Sequence, residues 1–554
     1  MTLDKYDSMP FSGLFSRINK LPAKKVAFAV TLLFAVLSAA VISFHEPWLD
    51  EAQAWLIARD ASIPDMFLNL SHVEGHIPFW WLVLALPAKL GVPYETGLKA
   101  VNILMAVAAC AVFEFKSPFP NAFKIVFPFT YFFFYQYSIV TRPYMLLILA
   151  LFLVAATFGS REERPVPHFL SLVLLCLSDT FGIAIAGGIA LAWTITVIKK
   201  IVKKGYSPAN AVFKPVICLS LLLVTALLLI WTIMPSGNAT AAGLVNGSSI
   251  LKSFLREIFI LPADLCITSF TTYDLLSVQE FELWQILAAA LVSIVIWFFF
   301  FKAFLRKGKI TDIILPLSTF ILLGAIYIYS HHFGLLLMLG IYCAWISLEE
   351  PGAERLNPVF SWSGKVLCVI SVFAGLVWSG FAVMNDVIHP YWISRDLYGW
   401  IEDNDLEGYK WFSCWDMEFE GGTDVISKQN TAVTREVVPV NPYLGKTPLN
   451  FNNEGISYAL FRENTREQNE KDIERWKTEG EADLILCSDI KEALALMKIM
   501  GYSSSYDIVY VKESRYSWKA DFTKGGVIVL AARDRGLNIK PDTADYASLV
   551  GQEG

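Results

Sequence analysis

The stretch KKVAFAVTLLFAVLSAAVISFHEPWLDEAQAWLIARD, residues 24–60, decides how the rest of the chain is read. It opens on a lysine pair, continues as an apolar run over 25–43, and then sets Asp50 beside Glu51. A bilayer core takes about 20 apolar residues per helix, so the run predicts a membrane span entered from a basic side. Ser38, Ala39 and Ala40 are small enough to imitate a signal-peptide cleavage site. The length of the run and its 24-residue leader predict an uncleaved anchor instead.

Ten more apolar runs follow, at 98–115, 122–140, 142–159, 166–181, 183–198, 212–234, 283–301, 310–329, 333–348 and 365–384. Across its 554 residues the chain is 55% hydrophobic and 17% charged, with mean hydropathy +0.48. Soluble domains carry about a quarter charged residues, so most of this chain is built for another solvent. The prediction is a polytopic α-helical membrane protein of about 11 spans, with a polar C-terminal α/β domain.

Basic residues flank the runs in alternate loops. They are Arg17, Lys20, Lys24 and Lys25, then Lys116 and Lys124, then Arg161 and Arg164. Lys199, Lys200, Lys203 and Lys204 follow, and after them Lys302, Arg306, Lys307 and Lys309. Putting all of them inside satisfies the positive-inside rule with one threading. The loop at 349–364 is a weak member, because Glu349, Glu350 and Glu354 accompany Arg355. The threading gives a cytoplasmic segment 1–24, a membrane part 25–384 and an extracytoplasmic domain 385–554, expected in a bacterial inner membrane.

Two outer loops result, 44–97 and 235–282. Within the first, residues 78–90 are apolar but short and broken by Pro87 and Lys89, so they predict an interfacial helix with Trp80 and Trp81 at the headgroups. Residues 250–261 show a similar amphipathic pattern in the second. The domain 385–554 has strand-like runs at 409–415, 482–489, 506–512 and 526–532, with helical stretches at 463–479 and 490–501. Eight cysteines show no metal-ligand spacing. Cys110, Cys176, Cys218, Cys343 and Cys368 lie in apolar runs, whereas Cys414 and Cys487 fall where a disulfide is permitted. The net charge is −6, and no nucleic-acid partner is expected.

The threading, made from lysine and arginine alone, gathers the chemistry-bearing residues on one face. Asp50 and Glu51 stand a few residues from hydrocarbon, where carboxylates must be solvated, paired or metal-bound. Two readings stay open. The acids cap the helix beginning at Ala52, or they work, with Asp50 as a general base and the pair holding a divalent cation such as Mg or Mn. His72, Glu74 and His76 share the same loop. Arg142, in Arg142-Pro143-Tyr144, either snorkels or grips a lipid phosphate in a two-pronged fork. Asp179 either caps the following helix or joins the site. His331 and His332 fall at a further outer turn, as interfacial polar groups or as accessory site residues.

On these motifs the membrane part, about 25–348, resembles the GT-C superfamily of multi-span glycosyltransferases, which includes protein O-mannosyltransferases and aminoarabinose transferases. The similar features are the acidic pair Asp50-Glu51 after a first span, the stretch His76-Ile77-Pro78 leading into an interfacial helix, and Arg142-Pro143-Tyr144 at an outer turn. The domain 385–554 has no such likeness. The resemblance implies a polyprenyl-phosphate sugar as donor and a glycan, lipid or protein acceptor. It implies Asp50 as the catalytic acid of the loop with Glu51 beside it, and Arg142 with Tyr144 near the donor phosphate. Several members show a histidine where Asp179 stands. The aromatic runs 127–137 and 294–304 are candidate walls for an isoprenoid chain, or ordinary lipid-facing or packing surface. The competing readings are a transporter, disfavoured by span interiors nearly free of charge and by the lack of an internal repeat, and a non-catalytic envelope-polysaccharide assembly protein.

Overall fold

In a computed structural model of the chain, the described residues are 12–204, 213–237, 239, 250–267, 283–305, 308–349, 358–413, 437–445, 449, 455–461 and 465–549. Arg306, Lys307, Glu350, Glu354, Arg355, Cys414 and residues 240–249 and 268–282 of the second loop lie outside them.

The protein is a bundle of apolar helices with a small C-terminal sheet. Among the described residues seven helices are long and apolar enough to cross a membrane: Ala23–Phe44, Tyr94–Lys116, Thr180–Lys203, Phe213–Thr232, Leu283–Phe304, Ser330–Leu348 and Ser363–Ile388. The helices Tyr144–Phe158, Pro165–Ser178 and Ile310–Ile326 are apolar but shorter. The first helix shows why these segments need a hydrocarbon solvent. It buries Val26, Ala27, Val30, Phe34, Ser38 and Ile42 along one stripe, while Phe28, Leu32, Leu33 and Val36 on its other side stay exposed. A helix in water would be polar there.

The run 122–140 is not one helix. It forms a short helix Asn121–Val126, a 3₁₀ turn Phe127–Phe129 and a π-helical stretch Phe132–Tyr137. Pro128 has no N–H to give and breaks the ladder. Residues 130–140 are all buried, with Phe34 set edge-on to both Phe133 and Phe134. This aromatic run is therefore internal packing and not a lipid-facing wall. The helix Ile250–Phe259 turns its polar residues inward: Ser253, Arg256 and Glu257 are buried, and Leu251 and Leu255 are exposed.

The stretch expected to lie on the surface is the helix Phe79–Lys89. It packs against the helix Leu49–Asp60, and both Trp80 and Trp81 are buried. Their indoles belong to the protein interior, because a second layer covers them: Val438 and Ala459 of the C-terminal region join the same cluster.

The sheet has the order β1-β2-β4-β3, with β1 Trp411–Ser413, β2 Leu484–Cys487, β3 Tyr506–Trp518 and β4 Asp521–Ala532. β1 and β2 are parallel, and the other pairs antiparallel. Side chains alternate as strand geometry requires. Leu484 and Leu486 pack with Leu397 and Trp400 of the helix Ser394–Asp403. Ile485 and Cys487 pack with Trp476 and Leu496 of the helices Arg466–Glu479 and Ile490–Met500. The expected border between 384 and 385 falls inside the last apolar helix, which continues to Ile388.

The β3–β4 hairpin outruns the sheet and enters the helical part. At its tip Trp518 lies edge-on to Tyr131, Phe132 and Phe333. Lys519 takes the left-handed conformation (φ 54°) of the turn and is fully buried. Its Nζ pairs with Asp264 Oδ1 at 2.8 Å and sits 4.6 Å from the centre of the Trp378 ring. Removing one member of a buried pair strands the other charge, at a cost of about 3–5 kcal/mol, whereas replacing both by apolar groups is far milder. Lys519→Met is thus expected to lower the melting temperature in detergent strongly, and Lys519→Met with Asp264→Leu to recover most of the loss.

Candidate functional site

The site grows from the entry to the helix Leu49–Asp60. Glu51 Oε2 accepts from the Trp48 N–H at 3.1 Å, closing the first turn as an N-terminal acid does. The same oxygen meets His45 Nε2 at 3.1 Å, and Oε1 accepts from the Thr141 N–H at 2.6 Å. Glu51 and His45 are both fully buried. His45 Nδ1 meets Asp386 Oδ2 at 2.8 Å. Burial works against charge on His45, but Glu51 and Asp386 outweigh it and push the imidazole up to about 9, so both ring nitrogens carry protons to donate.

Because Glu51 holds the amide of Thr141, the next residue, Arg142, is delivered to Asp50. Arg142 Nη2 lies 2.7 Å from Asp50 Oδ2, with Arg142 almost buried and the Asp50 side chain 32% exposed. Tyr144 lies beneath the guanidinium, 5.3 Å from it to the ring centre, and Trp48 stands at 6.0 Å. The two adjacent acids thus have different work: Glu51 caps and ties, and Asp50 faces a pocket.

That pocket, ≈ 50 Å³, is lined by Asp50, Gln53, Glu74, His76, Trp80, Trp81, Arg142 and Phe461, among others. Gln53 is one helical turn beyond Asp50 and therefore shares its face. Gly75 (φ 66°) ends the short helix Ser71–Glu74 in the left-handed conformation that glycine adopts without strain. The chain turns there, and Glu74 and His76 both line the pocket. Burial and the neighbouring Arg142 push His76 down to about 4, leaving a neutral imidazole. Burial pushes Glu74 up to about 8, against the hydrogen bond from Gln53 and aided by the charge of Asp50.

Of the residues expected from the sequence, Asp50, His76 and Arg142 come together. Glu51 does not line the pocket. Tyr144 supports Arg142 from behind, and its ring stacks on His331 (5.8 Å) and meets His332 edge-on (5.5 Å). His332 Nδ1 accepts from the Tyr329 N–H at 3.0 Å. Asp179 Oδ1 accepts from the Phe181 N–H at 2.9 Å and caps the helix that begins at Thr180. These residues form the floor beneath Arg142. His72 turns away, its Nδ1 2.7 Å from the Met234 carbonyl.

The acidic pair does not fit a shared cation, since Glu51 is spent on three donors and Asp50 on Arg142. Among the described residues no group of three or more His, Cys, Asp or Glu is arranged to hold a metal. Gln53, Thr141 and Phe461 were not singled out from the sequence. The i, i+3 spacing from Asp50 could have pointed to Gln53, but no local signal leads from residue 50 to residue 461.

No protein-family model matches the chain, and no curated protein matches it. Among solved structures, a cryo-EM structure of a variant of the arabinofuranosyltransferase AftD from Mycobacteria overlaps 90% of this chain at 15% identity, with a TM-score of 0.36. The chain spans 41% of the length of that protein.

The His45 shift has a consequence for stability. A folded-state value near 9, above the ordinary 6.5, means that the stabilisation is complete below about pH 6.5 and is lost as pH rises through about 9. The melting temperature of the purified protein is expected to fall between about pH 6.5 and 9 and to level off above that. His45→Gln, less stable at neutral pH, should show a flatter curve over that range.

Proposed function

We propose that this chain is a GT-C-type glycosyltransferase that moves a sugar from a polyprenyl-phosphate donor to an envelope glycan, lipid or protein acceptor at the outer face of a bacterial inner membrane. The observation that carries the reading is the Asp50–Arg142 pair, 2.7 Å apart, in a pocket walled by Trp80, Trp81 and Phe461 at the exit of the first apolar helix. It joins a base, a cation with phosphate-matching geometry and aromatic faces suited to a sugar.

In this reading the donor phosphate takes the place of Asp50 on Arg142, and the freed carboxylate turns to the acceptor. The acceptor hydroxyl attacks the anomeric carbon and gives its proton to Asp50. The bond from that carbon to the phosphate oxygen breaks, its electron pair stays with the phosphate, and Arg142 stabilises the added charge. Tyr144 holds the guanidinium from behind. Seating a sugar requires the narrow pocket to widen, and the Asp50–Arg142 contact is the one that the donor exchanges. His331, His332 and Asp179 keep the floor in place, and Glu51 keeps the two walls in register.

The test is transfer from polyprenyl-phosphate sugars to an envelope extract by purified variants. Positioned general bases contribute about 10²–10⁴-fold, so Asp50→Asn should lower kcat by that range while melting like the unaltered protein. Arg142→Gln should abolish turnover, and Glu51→Gln should show first as lost thermal stability. A folded Asp50→Asn protein with full transfer activity overturns the reading.

A further inference from the structure

Glu74 is a carboxyl group in this pocket for which the transfer scheme has no use. Its surroundings are fixed by Gln53, whose side-chain amide is pinned on the backbone of Ala459. Gln53 Oε1 accepts from the Ala459 N–H at 2.8 Å, and Nε2 donates to the Ala459 carbonyl at 2.7 Å. The amide has only one way round in this clamp, so its NH₂ also donates to Glu74 Oε1, at 3.0 Å. Oε1 is thereby an acceptor. A proton on this carboxyl resides on Oε2, for which the structure shows no partner among the described residues.

Among the described residues no positive charge is left over for Glu74. The charged and titratable groups facing it are Asp50 on the helix Leu49–Asp60, His76 beyond Gly75, Arg142 on the turn before Tyr144, and Tyr458 from the C-terminal segment. Arg142 is already matched by Asp50, and His76 and Tyr458 are neutral near pH 7. With Glu74 protonated, the described residues around the pocket carry no net charge. With Glu74 ionised it carries −1 and repels an anion across a low-dielectric gap.

We propose that Glu74 acts in its neutral form as a hydrogen-bond donor, through Oε2, to the phosphate of the anionic ligand that Arg142 receives. The proposal rests on the reading of this pocket as a donor-phosphate site and adds a second phosphate-binding group to it. A carboxylic acid kept neutral can give a hydrogen bond that a carboxylate cannot. The burial that pushes Glu74 up to about 8 keeps it protonated at neutral pH. As pH rises through that value the donor is lost and a like charge appears, so anion binding weakens.

The experiment measures binding of a prenyl methyl phosphodiester to the full chain in detergent between about pH 6.5 and 9.5, a range in which the probe keeps a single negative charge. For a group titrating at about 8, the protonated fraction falls about tenfold from pH 7 to pH 9, and affinity should fall by the same factor. Glu74→Gln, permanently neutral but a weaker donor, should bind about threefold less tightly at pH 7 and show no such fall. Glu74→Ala should bind at least tenfold less tightly at pH 7. Affinity in the unaltered protein that is flat across the range overturns the proposal. So does a folded Glu74→Gln protein that keeps the fall, or one that no longer binds the probe. The predicted pH dependence without any sugar transfer would leave the Glu74 assignment standing and remove the glycosyltransferase reading. Transfer activity with flat binding would do the reverse.

Discussion

A single buried carboxylate, that of Glu51, sets the geometry on which the pocket depends. It accepts hydrogen bonds from Trp48, His45 and Thr141, and so joins the exit of the first apolar helix to a turn ninety residues away. A carboxylate in this position costs several kcal/mol to desolvate, and only a full set of donors offsets that. Protonated His45 supplies one of them and passes the connection to Asp386 in the last apolar helix. Three chain segments are thereby locked at one point. Asp50, one residue before Glu51, and Arg142, one residue after Thr141, are carried into contact as a result.

The C-terminal region is the second constraint. It is not an independent body on a tether. The hairpin tip buries Lys519 against Asp264 among the helices, and Asn385 donates to the Arg515 carbonyl. Glu46, two residues before Trp48, accepts from Ser394. Arg59 donates to the carbonyls of Pro442 and Leu444, and Gln53 clasps the backbone of Ala459. The helix that presents Asp50 is thus held from both sides, by the bundle through Glu51 and by the C-terminal region through Gln53 and Arg59. Phe461 completes the pocket wall from that second side.

Several departures from the sequence reading share one cause: the burial of a segment is a property of its neighbours. Trp80 and Trp81 look interfacial because a short apolar helix with tryptophans usually is, yet Val438 and Ala459 share their buried cluster. The run 122–140 reads as a span because hydropathy is blind to the way Pro128 and a crowd of rings break a helix. Histidines 331 and 332 read as polar groups at an interface, but the rings of Tyr144 and Phe181 enclose them. In each case composition was correct about polarity and silent about partners.

The exit of the first apolar run, with its paired acids, was legible from sequence as far as local chemistry reaches. Hydropathy alone determined the membrane class and the positions of the long helices, since the cost of exposing polar backbone to hydrocarbon leaves few alternatives. The strands of the C-terminal domain followed from their alternation and composition. That Asp50 and Glu51 would divide, one facing a pocket and one buried as a cap, depends on which way each side chain leaves the first turn and what it meets there. Only the tertiary structure decided that, because the donors that satisfy Glu51 come from residues 45, 48 and 141, and the groups around Asp50 come from 74, 142 and 461. Contacts between residues so distant along the chain leave no trace in a local pattern.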